Sequence, residues 1–231
     1  ELSADPILSS WFTEYSGQYA RIYETAADES ALNSVTTWSH PNNGSGQALP
    51  TYAGVHEIAY TETNVYIRTS GLGFHVMGPW YLNEERTNLF PNYPSNTSAM
   101  FRFPRVTGAP PISKTATGNG TIGYFVDGIG MFDSRDAFSY SNSNESDARP
   151  NSNFTGDGIW NRDAYINESV TFDSAHAHQA GIHHHYHANP PALRHLIGDS
   201  VDYDASTNTY TENFNGQHSP IMAWVRDGYP I

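Results

Sequence analysis

Hydrophobic and polar positions alternate along the chain in short bursts. Val55–Ala59, Val65–Thr69, Met100–Pro104, Thr121–Val126, Ser169–Phe172 and Ile221–Val225 are β-branched or aromatic runs of strand length, bounded by turn-forming residues. Between them lie Pro41-Asn42-Asn43-Gly44-Ser45-Gly46, the turn Gly118-Asn119-Gly120 and a polar run over 141–155, all loop chemistry. Helical periodicity is thin. Leu8, Trp11, Phe12, Tyr15 and Tyr19 keep i, i+3, i+4 spacing, yet residues 19–23 also alternate, so both readings fit the N-terminal segment. No fixed-period repeat and no long Pro-rich linker divides the chain. The pattern predicts an all-β, single-domain, β-sandwich-like fold with long loops and little helix. Residues 1–60 are expected to add strands and loops to the domain formed by 61–231.

Charge and composition narrow the function classes. The 231 residues carry 11 Lys+Arg against 24 Asp+Glu, a formal charge of -13, with Lys114 the only lysine. Such a chain lacks the basic face that nucleic acid or an anionic membrane surface requires. Its longest apolar runs, such as Pro220-Ile221-Met222-Ala223-Trp224-Val225, fall far short of the ~20 residues of a membrane helix, so no membrane span is expected. The absence of Cys excludes a disulfide framework, a thiolate metal site and a Cys nucleophile. Charged residues are only 15%, below the ~25% of an average domain, which suits a secreted β protein rich in neutral polar groups. N-x-[ST] sequons at Asn43, Asn96, Asn119, Asn144, Asn153 and Asn167 point the same way, toward a mature, secreted glycoprotein.

Histidine supplies the candidate chemistry. Six of the 11 histidines lie in one window, where His176 and His178 form H-x-H and His183, His185 and His187 form H-x-H-x-H. Alternate side chains on a strand share a face and stand about 6–7 Å apart, so each set aims its imidazoles one way. Two strands joined by a turn at Gln179-Ala180-Gly181 bring three or four imidazoles around a point. Imidazole suits first-row metals, and with Asp173 the only carboxylate in the window, copper or zinc is expected rather than calcium or magnesium. His218, distant in sequence, is a candidate to complete the site, as is His75. Asp173, Tyr186 and Asp227 are candidates to orient the ligands from behind.

At these residues the chain resembles the YHYH family. Gly71-Leu72-Gly73-Phe74-His75-Val76-Met77-Gly78-Pro79-Trp80 is similar to an early family segment, with Gly73 where proline is usual. Phe101-Arg102-Phe103-Pro104-Arg105, the stretch 122–132, Asp136-Ala137-Phe138-Ser139-Tyr140, residues 159–164 and Phe172-Asp173 follow in family order. His218-Ser219-Pro220-Ile221 and Asp227-Gly228-Tyr229-Pro230-Ile231 close the match, which spans roughly Val65 to Ile231. The histidine motif is one residue longer here, so either His183/His185 or His185/His187 can be the family's H-x-H, and a one-residue slip exchanges strand faces. The resemblance implies an extracytoplasmic protein with a metal site at His176, His178, His185, His187 and His218, and implies no substrate.

Other constellations are weaker. Asp202-x-Asp204-x-Ser206-x-Asn208 has Thr207 and Asn213 where an EF-hand loop needs Gly and Glu, so a hairpin turning at 205–208 is expected instead. No G-x-S-x-G, H-E-x-x-H or phosphate-binding glycine loop occurs. Trp38, Trp80, Trp160 and Trp224 could form a carbohydrate platform, but in a β fold they belong to core and rim. The leading expectation is a secreted β protein with a His-rich copper or zinc site. The alternative is a glycosylated structural or adhesive subunit whose edges self-assemble or contact extracellular matrix and glycans, its histidines structural or cross-linking.

Overall fold

In the computed structural model, which describes residues 5–110, 112–118, 120–148, 156–157 and 159–231, the strand Asn64–Thr69 shows alternation in its simplest form. Val65, Ile67 and Thr69 are buried, while Asn64, Tyr66 and Arg68 stand half out. This strand is the centre of a three-stranded antiparallel sheet, flanked by Val55–Tyr60 and Ala99–Pro104. A second, five-stranded sheet runs in the order Ala177–Ala180, His183–Tyr186, Gly130–Phe132, Thr121–Phe125, Ala223–Val225. Its one parallel pairing joins His183–Tyr186 to Gly130–Phe132.

The two sheets share one apolar cluster. Val55, Val65, Ile67 and Phe103 from the smaller sheet meet Phe125, Met131, Ala177, Tyr186, Ala223 and Trp224 from the larger. The ring of Phe101 sits 4.9 Å from that of Tyr124 across the layer. This is the expected all-β, sandwich-like arrangement. The other sheets have two or three strands, and the longest α-helix among the described residues, Pro191–Leu196, has six residues. A second buried cluster, built from Ile22, Trp38, Leu72, Phe74, Met77, Trp80, Phe90 and Tyr93, packs behind the histidine hairpin. The Trp80 indole N–H ties it there by donating to Ala177 O at 3.0 Å.

Three local expectations change. Residues 169–172 do not form a strand. Asp163 caps the helix Ala164–Glu168 by accepting the Ile166 N–H at 2.9 Å, and a 3-10 turn over Ser169–Thr171 follows. The Thr171 hydroxyl then donates back to Glu168 O at 2.6 Å, a side-chain-to-backbone bond that favours the turn over a strand. At the N-terminus the helix covers only Pro6–Ser9, started by Asp5 and a proline in the first turn, and Arg21–Ile22 is a strand paired with Val76–Met77. The hairpin turn lies at Gly181-Ile182 rather than 179–181, because Gln179 and Ala180 stay paired to His184 and His183. The hairpin expected at 205–208 is present, between Val201–Asp204 and Thr209–Glu212. Of the expected turn 118–120, Asn119 lies outside the described residues, as do 149–155 of the polar run.

Candidate metal centre

Strand alternation sorts the histidines. His178 pairs directly with His185, so their rings share one face of the hairpin, and His187 continues that face beyond the strand end. His187 keeps the ladder going by donating its N–H to His176 O at 2.9 Å. His176 itself has φ +60, a left-handed conformation that breaks the alternation. Its ring turns to Tyr165 at 5.5 Å and does not join the others. His183 is exposed at the turn, and exposed His218 bonds only to its neighbour's carbonyl, Ser219 O, at 2.6 Å. Of the six candidate ligands, the structure therefore brings together His178, His185 and His187.

Their geometry is convergent. Nε2 of His187 lies 3.1 Å from Nε2 of His178 and 3.0 Å from Nε2 of His185. The hydrogen-bond network assigns the tautomers behind them. The Thr171 hydroxyl spends its proton on Glu168 O, so it accepts from His178 Nδ1 at 2.6 Å. His185 Nδ1 donates to His183 O at 3.0 Å. With Nδ1 protonated, Nε2 of both rings is a bare lone pair aimed inward. A proton on His187 Nε2 can satisfy one of these two contacts at a time; a cation satisfies all three nitrogens. Burial holds the three rings neutral, pushing His178 down to about 4, His185 to about 3 and His187 to about 2. Phe132 stacks on His185 at 4.0 Å and Phe172 on His187 at 4.6 Å, fixing both planes.

A carboxylate completes the set. Glu168 Oε2 stands 3.1 Å from His178 Nε2 and 3.6 Å from His187 Nε2. Burial first, then the neighbouring Asp136, raises Glu168 to about 8. Burial also opposes ionisation of Asp136, but its hydrogen bonds with Glu168 and Arg162 outweigh that and hold it low. The pair thus shares one proton, carried by Glu168. Three imidazole nitrogens and one carboxylate oxygen fit a copper or zinc ion.

Residues 100–231 match the family described as YHYH protein, which is more than half of the chain. The chain belongs to the YHYH family. No curated protein and no solved structure matches it. In this YHYH chain all four converging donors lie within the matched residues, and His185/His187 is the H-x-H pair that shares the cluster.

The opposite face of the hairpin of this YHYH protein carries its own polar group. Asp173 and Tyr186, expected behind the metal ligands, are here instead. Asp173 Oδ1 accepts the N–H groups of Ala175 at 2.9 Å and Ala177 at 3.2 Å, and Oδ2 accepts that of Gly78 at 2.9 Å. Burial raises its carboxyl, but the His75 and His184 imidazoles and the Gly78 N–H outweigh burial and hold it below the usual range. The Tyr186 hydroxyl donates to Asp127 Oδ2 at 2.7 Å, while burial of Asp127 raises that carboxyl. Asp227 is exposed in the turn after Ala223–Val225. Asn43, Asn144 and Asn167 are exposed, Asn96 is half-buried, and Asn119 and Asn153 lie outside the described residues.

The sequence did not single out Glu168, Asp136, Arg162 or His184. Glu168 had one available signal: it is the carboxylate nearest the window apart from Asp173. It ends the helix Ala164–Glu168, and tertiary packing of that helix and the 3-10 turn after it brings the carboxylate to the histidines.

Proposed function

We propose that this YHYH protein binds one copper or zinc ion through Nε2 of His178, His185 and His187, with Glu168 as the oxygen donor. The convergence of three Nε2 atoms, two of them made bare by acceptors at Nδ1, is the observation that carries the reading. When bound, such an ion supplies Lewis acidity, and copper adds one-electron chemistry. The chain's own residues would position it. Phe132 and Phe172 hold the rings, Glu168 would release to solvent the proton it shares with Asp136 when its Oε2 takes the ion, and Arg162 keeps Asp136 charged. A cleft of ≈ 430 Å³ that reaches His187 and Phe132 gives small molecules an approach to this face. Exposed sequon asparagines support a working place outside the cytoplasm. No helix among the described residues is long and apolar enough to cross a membrane.

The test is metal uptake by the metal-free chain, followed calorimetrically with Cu(II) and Zn(II). Wild type is expected to bind tightly, and His185→Ala combined with His187→Ala to abolish binding at this face. No tight uptake by wild type overturns the proposal.

A further inference from the structure

The hairpin's other face holds a set of donors that the proposed site does not use. His184 is 2% exposed, and both its ring nitrogens lack a hydrogen-bond partner. Any neutral imidazole has one N–H and one lone pair, so a buried donor and a buried acceptor are both left unanswered. His75 Nε2 is a third such atom, 3.6 Å from Asp173 Oδ2. That separation is too long for a hydrogen bond. It is close to the ~3.3–3.5 Å that separates two donors on one tetrahedral zinc ion with bonds of about 2.0–2.1 Å. The nearest donor atoms of His75, Asp173 and His184 all lie within 4.8 Å of one another.

The surroundings orient these donors. The Tyr186 hydroxyl donates to Asp127 and lies 3.3 Å from His75 Nδ1, so Nδ1 faces the phenol and Nε2 faces Asp173. Asp173 has both oxygens anchored by backbone N–H groups, with Oδ2 accepting only one of them. Gly73 leaves the space the ring fills: a Cβ there would stand 2.8 Å from His75 Cε1 and Nδ1. Trp80 closes the set, its ring 5.6 Å from that of His184. The side chains of His75 and Asp173 are 3% and 0% exposed, which leaves no approach for a substrate.

We propose that His75, Asp173 and His184 form a second metal site, a buried structural one that supplies three protein donors to zinc or a similar divalent ion. Two nitrogens and one oxygen, all buried, suit such an ion, and no cysteine is needed. Its effect is a cross-link. His75 belongs to the segment that builds the second apolar cluster, and His184 to the sheet that builds the first, so the ion ties the two together.

Crystals of the full chain loaded with Zn(II), measured across the zinc absorption edge, test this without any substitution. Two anomalous peaks are expected, one at His178/His185/His187 and one among His75, Asp173 and His184. A peak at the first position alone overturns the inference and leaves the proposed function standing. A peak at the second alone does the reverse, and no peak overturns both. Native mass spectrometry gives a second readout: two zinc ions per wild-type chain, one in His184→Gln, and one in His185→Ala plus His187→Ala. Two ions retained by His184→Gln, or none by the double variant, contradicts the inference.

Discussion

Consecutive residues of one strand face two unlike environments. His185 points to a face bordered by Glu168, which keeps partial contact with solvent, and by a cleft that reaches its neighbour His187. His184 points to a face sealed under Trp80 and His75. On the first face every second nitrogen that the network resolves has an acceptor, from Thr171 or from His183. On the second, His184 has none. Identical side chains thus meet different surroundings. On the proposed readings, the face beside the cleft would suit exchange and chemistry, and the sealed face a permanent clamp.

The comparison is broken most severely at Asp173. Asp173→Ala leaves three buried N–H groups without an acceptor, and each such loss costs about 1–3 kcal/mol. Denaturant midpoints are expected to fall by several kcal/mol equivalent, and a variant as stable as wild type contradicts the sealed-face account. Acid comes next. In the unfolded chain the histidines titrate near 6.5, while folded His178, His184, His185 and His187 titrate at about 4, 3, 3 and 2. Between those values the unfolded state binds more protons, so stability is full above pH 6.5 and drains away as pH falls through the window. Glu168, raised from 4.5 to about 8, and Asp127, also raised by burial, act in the opposite sense but are two groups against four. Thermal melts of the metal-free chain at pH 7 and pH 5 are expected to show a clear drop in Tm at the lower pH.

Smaller changes separate the faces more finely. Glu168→Gln keeps the hydrogen-bonding shape and is expected to weaken metal binding at the open face about tenfold or more, with little change in Tm. A calorimetric affinity equal to wild type removes Glu168 from the set. Thr171→Val deletes the acceptor behind His178 and should weaken binding by roughly 1 kcal/mol, while the sealed face is untouched.

Alternation made much of this legible in advance. The strands at 55–60, 64–69, 99–104 and 121–125 coincide with the β-branched and aromatic runs, because period two is written directly in which positions are apolar. The same rule grouped His185 with His187 and placed His178 with them once the pairing register was known. It failed at His176, whose left-handed backbone is invisible in residue type, and at 169–172, where hydroxyl-to-carbonyl bonds overrode strand-like composition. Glu168 and His75 reach their clusters through tertiary packing that no local pattern encodes. Asp173 and Tyr186, expected behind the ligand histidines, lie on the hairpin's other face, since which side each cluster occupies depends on the segments packed against it.

The convergence of three Nε2 atoms is tested most directly by electron paramagnetic resonance of the metal-free chain given one equivalent of Cu(II). The account predicts hyperfine coupling to three imidazole nitrogens in wild type, reduced when His185 and His187 are both replaced by Ala. A spectrum with one imidazole or none, or one that the double substitution leaves unchanged, would contradict it.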